Sequence, residues 1–140
     1  GKAKSNCCLL SPPMNWAKFG LMLLNRGEAN GNQIVQAEFI DQMTSPAPNS
    51  DWYGLQIWLT DSNDSNPWLG LTRGYQKAED FLREDAYYAS GFGAQRVYVV
   101  PSEELVIVRM GPATGEDLGS PVRADWDNAF LVNTAIRHLK

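Results

Sequence analysis

A chain of 140 residues has room for one domain with a real core. Its 44% hydrophobic and 20% charged residues are ordinary for a globular protein. A net charge of −4 and the lack of any basic run argue against nucleic acid as a partner. No apolar run is long enough to span a bilayer, and no secretory leader pattern opens the chain. The first residue is Gly, so the start is expected to be a processing boundary.

Residues Gly1 to Leu10 show no period and read as an irregular arm. Cys7 and Cys8 are adjacent and would close a strained ring if paired, so free thiols are expected. With His138 as the lone histidine, a metal centre built on Cys and His is not expected. Ser11-Pro12-Pro13 signals a helix start, with Asn15 as its N-cap. Trp16, Phe19, Gly20, Leu23 and Leu24 then recur at helical spacing, and Gly27 suits the C-cap. Gly31 closes a turn after Ala29-Asn30. A shorter helical pattern follows, with Phe39, Ile40 and Met43 on one side, and Pro46 and Pro48 stop it.

Trp52 to Leu59 alternates: Tyr53, Leu55, Ile57 and Leu59 share one face, which predicts a half-buried strand. Asp61 to Pro67 is a polar loop. Trp68 to Asp85 has little period, and Lys77 to Arg83 suggests a helical turn. The strongest pattern is a hairpin: Gln95 to Val100, turn residues Pro101 to Glu104, then Leu105 to Arg109 as a strand buried on both faces. Ser90, Gly91, Gly93 and Ala94 leave little side chain before it, so another backbone or a ligand can come close. Gly111 to Ala124 reads as loop. Asp125 caps a final helix, Trp126 to Leu139, with Ala129, Phe130, Asn133, Ile136 and Leu139 near one stripe. Arg137, His138 and Lys140 sit where cations complement the helix dipole. The fold class is α+β: an antiparallel sheet packed by a C-terminal helix. It forms one domain, helical over about 11–46, with the sheet and last helix over about 52–140.

Catalytic patterns are scarce. A Ser-His-Asp triad lacks a histidine other than His138. No Gly-x-Ser-x-Gly elbow, phosphate loop, dinucleotide fingerprint or zinc-protease motif occurs. The adjacent acids Glu79/Asp80, Glu84/Asp85, Glu103/Glu104 and Glu116/Asp117 point apart within each pair and read as solvated surface.

Three blocks nevertheless resemble one family. Asn15-Trp16-Ala17-Lys18-Phe19-Gly20-Leu21, continuing to Asn25-Arg26-Gly27, is the first. Tyr53-Gly54-Leu55-Gln56-Ile57-Trp58 is the second. Tyr88-Ala89-Ser90-Gly91-Phe92-Gly93-Ala94-Gln95-Arg96-Val97-Tyr98 to Ser102, followed by Leu105 to Arg109, is the third. Their order and spacing are similar to the C-terminal region of the serine β-lactamase-related hydrolases. That group, class C β-lactamase-like, includes esterases, D-alanyl-D-alanine peptidases and nylon-oligomer hydrolases.

The resemblance implies a partial β-lactamase-like fold. It implies cleavage of a small-molecule ester or amide through an acyl-enzyme, with no cofactor and no metal. The family's nucleophile lies in Ser-x-x-Lys and its base in a Tyr-x-Asn-like motif. Neither occurs in this chain, so the chain alone is expected to be inactive. The third family motif aligns with Ala89-Ser90-Gly91, and Ala89 stands where Lys or His is usual. Tyr88, Ala89, Ser90 and Gly91 are then substrate-binding residues, and the backbone N–H of Phe92 is one oxyanion donor. Family architecture also implies a sheet edge left open here, to be covered by a second copy or a complementing N-terminal chain. The compartment implied is the bacterial cytoplasm or periplasm. The rival expectation is a non-catalytic binding domain, with Trp52, Trp58, Trp68 and Tyr75 lining an apolar groove.

Overall fold

The computed structural model describes residues 9–60, 79–91, 95–111 and 127–139. Cys7, Cys8, Trp68, Tyr75, Phe92, Gly93, Ala94 and Asp125, for which the sequence sets expectations, lie outside those residues.

Helix α1 spans Pro13–Leu24, with Pro12 at the N-cap. Asn15 is therefore not the cap. Pro13 has no N–H to leave unsatisfied, and its φ already suits a helix, so the helix begins there. Asn15 lies inside the first turn and donates from Nδ2 to Ser11 Oγ at 3.0 Å. The C-cap is Asn25 rather than Gly27. Arg26 takes the left-handed conformation at φ 50. Its N–H reaches Leu23 O at 3.0 Å, and that of Gly27 reaches Met22 O at 2.8 Å. This crossed pair closes the helix as a Schellman motif. Gly27 cannot be replaced cheaply: its φ is +90, and a Cβ there would lie 2.1 Å from Val35 O.

Strands β1, Glu28–Ala29, and β2, Asn32–Gln33, form a small hairpin. Asn30 and Gly31 turn it with φ of 53 and 74, the two positive angles of a type I′ turn. Helix α2 is Ala37–Met43. Ile40 is buried and Met43 packs against the same core, while Phe39 stays exposed. On the outside, Arg26 and Asp41 form an exposed pair linking the two helices, which adds little to stability.

The main sheet has the order β3-β4-β5-β6, antiparallel throughout. Its strands are Trp58–Leu59, Tyr87–Gly91, Gln95–Val100 and Leu105–Arg109. The single strand expected over Trp52 to Leu59 is a tight hairpin instead. Tyr53 pairs with Trp58, Leu59 N–H donates to Trp52 O at 3.1 Å, and Gly54 N–H donates to Ile57 O at 2.8 Å. Gln56 sits at φ 64, which no strand tolerates. Leu55 is thereby exposed while Ile57 is buried, so the expected shared face does not exist.

Burial on both faces belongs to β5, not to Leu105–Arg109. From Arg96 to Val100 every residue of β5 is buried, because neighbours flank it on both sides. Strand β6 is half-buried throughout and is an edge among the described residues.

Alternation along the strands sends two sets of side chains to two layers. Tyr87, Val99 and Val106 meet Leu23 and Phe19 of α1, Ile40 of α2 and Ile57. Tyr88, Tyr98, Val100 and Ile107 meet Val132 and Ile136 of the last helix. That helix, α3, is Asn128–His138, capped by Asp127, whose carboxylate accepts from Phe130 N–H at 2.8 Å. The cap is thus two residues later than Asp125. Phe130 and Leu139 are exposed, and the buried stripe is Ala129, Val132, Asn133 and Ile136.

No helical turn forms over the described residues 79–83. Asn133 holds this segment otherwise: Nδ2 donates to Asp80 O at 2.7 Å, and Oδ1 accepts from Leu82 N–H at 2.8 Å. Several acids expected on a solvated surface are engaged. Glu79 pairs with Arg137 and Glu103 with Arg83. Asp85 accepts from both the N–H and the hydroxyl of Ser102, at 2.7 and 2.8 Å. The architecture is α+β, with an antiparallel sheet between α1 and α2 on one side and α3 on the other.

Candidate functional site

Ala89, Ser90 and Gly91 form the second half of β4. On one side they pair with Val97, Arg96 and Gln95 of β5. On the other, β3 reaches only Tyr87 and Tyr88. Past Tyr88, no strand flanks β4 on that side among the described residues. An antiparallel strand directs alternate N–H and C=O groups to each edge, so this stretch offers backbone donors and acceptors to whatever lies alongside.

The four residues differ in what they present. Ser90 and Gly91 are exposed. Ala89 is half-buried against the core beneath α1 and α2. Tyr88 faces inward, 9% exposed. Its ring stacks on Trp58 at 6.2 Å and 9°, and meets Tyr98 at 5.5 Å. Tyr88 therefore belongs to the packing under the site. A Cβ added at Gly91 would meet Gln95, with its Cβ at 3.4 Å, its carbonyl oxygen at 3.8 Å and its Cγ at 3.9 Å, all ordinary contacts. Phe92, the expected oxyanion donor, lies outside the described residues.

Sequence reasoning missed the polar ties at this end of the sheet. Gln95 exchanges two bonds with the backbone of Gly111: Nε2 donates to its O at 2.5 Å, and Oε1 accepts from its N–H at 3.0 Å. Arg109 donates to the same carbonyl at 3.1 Å. Arg96, opposite both Ser90 and Arg109, is buried with its guanidinium 6.0 Å over the Tyr88 ring. Two arginines in adjacent cross-strand positions are the signal that pointed here, and their spacing in sequence, 96 and 109, hides it.

Tyr87 lies one residue before Tyr88, on the opposite face. Burial, with the Asp85 charge adding to it, pushes its hydroxyl up to about 12. An unfolded tyrosine ionises near 10. Stability is therefore complete below pH 10 and falls as pH rises toward 12, because the unfolded chain gives up its proton first. Urea midpoints at pH 8 and pH 11 check this. The wild type is expected to lose more stability than Tyr87→Phe, and equal losses would refute it.

Among the described residues, no group of three His, Cys, Asp or Glu is placed to hold a metal ion. None of their helices is long and apolar enough to cross a membrane.

No protein-family model matches the sequence, and no curated protein matches it. Among solved structures, the chain is similar to a Bacteroides dorei protein provisionally described as a beta-lactamase. The identity is 14% and the TM-score 0.45, over 86% of this chain. This chain spans 37% of that protein's length.

Proposed function

We propose that the chain is the C-terminal portion of a serine hydrolase that cleaves a small ester or amide through an acyl-enzyme. Its contribution is the strand Ala89–Gly91 and, from Phe92, one N–H of the oxyanion hole. The nucleophile in Ser-x-x-Lys and the tyrosine base come from sequence outside these 140 residues, so the chain alone is inactive. The observation that carries this reading is the side of β4 that, past Tyr88, no strand flanks among the described residues. Small, exposed residues there leave a strand edge accessible to a carbonyl substrate, where the third sequence block resembles the family's motif. Ala89 supplies no cation, which favours an esterase, amidase or peptidase over an enzyme that recognises a β-lactam carboxylate.

Gly91→Val in the full-length protein tests the role of this strand. The fold admits the side chain, so the melting temperature is expected to hold. Turnover of p-nitrophenyl acetate is expected to fall about 10²-fold, the scale of losing an oxyanion contact. Unchanged turnover would remove the strand from the site.

The same reading leaves β6 in need of a neighbour, either a second copy or an N-terminal complementing chain. Sedimentation of the isolated chain as a monomer at high concentration would count against both. The rival reading, binding along an aromatic groove, draws on Trp52 and Trp58, whose rings are 5.6 Å apart and half-buried. Binding by the chain alone, with no hydrolysis by the full-length protein, would favour it.

A further inference from the structure

We infer that the hairpin tip Leu55–Gln56 is the wall that selects the substrate's acyl group at the Ala89–Gly91 edge, and that the group it accepts is uncharged and apolar. This rests on the hydrolase reading above and names the substrate class within it.

The register places the tip. Trp58 lies opposite Tyr88 and Leu59 opposite Tyr87, antiparallel. Each step back from Trp58 is thus a step along β4 toward Gly91. Tyr53 pairs with Trp58, so the loop Gly54–Ile57 extends past the end of β3 on the side where β4 has no strand among the described residues. Ile57, 2% exposed, belongs to the core cluster that Ala89 packs against, which fixes the level of the loop.

The tip is held from several directions. Leu55 N–H donates to Met43 O at 3.0 Å, at the end of α2, and Ala47 N–H donates to Tyr53 O at 3.0 Å. A Cβ on Gly54 would lie 2.0 Å from Met43 O, so the backbone there is pressed against the helix end. Trp52, Tyr53 and Trp58 brace the stem with ring contacts of 5.1 to 5.8 Å. Gln56 is kept in the left-handed region at φ 64, which a residue with a side chain adopts only where its surroundings enforce it.

What this scaffold presents is Leu55, 45% exposed. A single exposed leucine is unremarkable in itself; the informative part is that the register of β3 on β4 carries this braced tip toward the level of Ala89–Gly91. The turn needs Gly54 for space, Ile57 for burial and a backbone N–H at position 55, and the exposed side chain there is not part of the core. Among the described residues, Leu55, Gln56, Ala89, Ser90 and Gly91 bring no charge to the edge, and Arg96, opposite Ser90, is buried over the Tyr88 ring. A charged acyl group would lose water there without gaining a partner among these residues, whereas an alkyl group would bury surface against Leu55.

The test uses the full-length protein and the p-nitrophenyl esters of acetate, butyrate, octanoate and succinate. In the wild type, kcat/KM is expected to rise from acetate to octanoate and to be lowest for the hemisuccinate. Leu55→Asp is expected to cut kcat/KM for octanoate at least tenfold while changing acetate less than threefold, with the melting temperature held. Leu55→Lys is expected to raise the hemisuccinate relative to octanoate. Profiles parallel to the wild type in both variants would overturn the role of the tip and leave the hydrolase reading intact. A folded wild type that cleaves none of the four esters would overturn both.

Discussion

Replacing Asn133 by alanine is expected to destabilise the chain by about 2–4 kcal/mol. Asn133 is fully buried, and its amide satisfies a carbonyl at Asp80 and an N–H at Leu82, about fifty residues away in sequence. An orphaned buried polar group costs about 1–3 kcal/mol. Asp80 and Leu82 are exposed residues, so water recovers some of that for both groups. The cavity left by the amide adds to the cost. Alanine's better helix propensity returns only about 0.5 kcal/mol. For a domain of this size the loss corresponds to a melting temperature lower by about 6–12 °C. Asn133→Asp keeps the acceptor for Leu82 and loses the donor to Asp80, so it serves as a control. Thermal melts of both variants check the claim, and an alanine variant as stable as the wild type would sink it.

Gly20→Ala is the second large effect, and here two terms oppose each other. Alanine in a helix interior gains about 1 kcal/mol over glycine. Yet its Cβ would stand 2.5 Å from Val106 Cγ1 and 3.0 Å from Val97 Cγ1. A branched valine on a packed strand cannot swing away, so α1 must lift from the sheet, at about 1–3 kcal/mol or more. The clash wins, and a net loss of about 1–2 kcal/mol is expected. Adding Val106→Ala removes the nearer obstruction. The double variant should then be more stable than the sum of the two single losses, by about 1 kcal/mol. Strict additivity would mean that the helix does not rest on this strand.

The same pair of positions shows what was legible in the sequence. The stripe through Phe19, Gly20 and Leu23 named the buried face of α1, because helical spacing alone decides it. That glycine is small on account of Val106 is invisible, since the two meet only after the sheet forms. The β5–β6 hairpin was equally readable, but not which strand would be buried; that depends on neighbours, and β6 has one where β5 has two. The alternation over Trp52 to Leu59 misled because a tight hairpin also places apolar residues at every second position. What folds it back is the Met43 carbonyl beneath Gly54 and Leu55, contributed by another element. The small residues of Ala89–Gly91 were visible as a composition signal. Their position on a strand flanked on one side only was not, because it depends on β3 ending at Trp58.

The clasp between Asn133 and residues 80–82 also bears on biosynthesis. At about 5–20 residues per second, the ribosome releases β4, β5 and β6 seconds before α3 has left the exit tunnel. The meander can pair in that interval, since its contacts are local. Of the described residues packed on the side of the sheet bearing Tyr88, Tyr98 and Ile107, Phe81 is made before the meander, but Val132 and Ile136 arrive only with α3. A nascent chain stalled before Asn128 would thus lack the apolar stripe of α3 and leave more of that sheet face to chaperones and proteases. Translation speed through the last helix sets how long that window stays open.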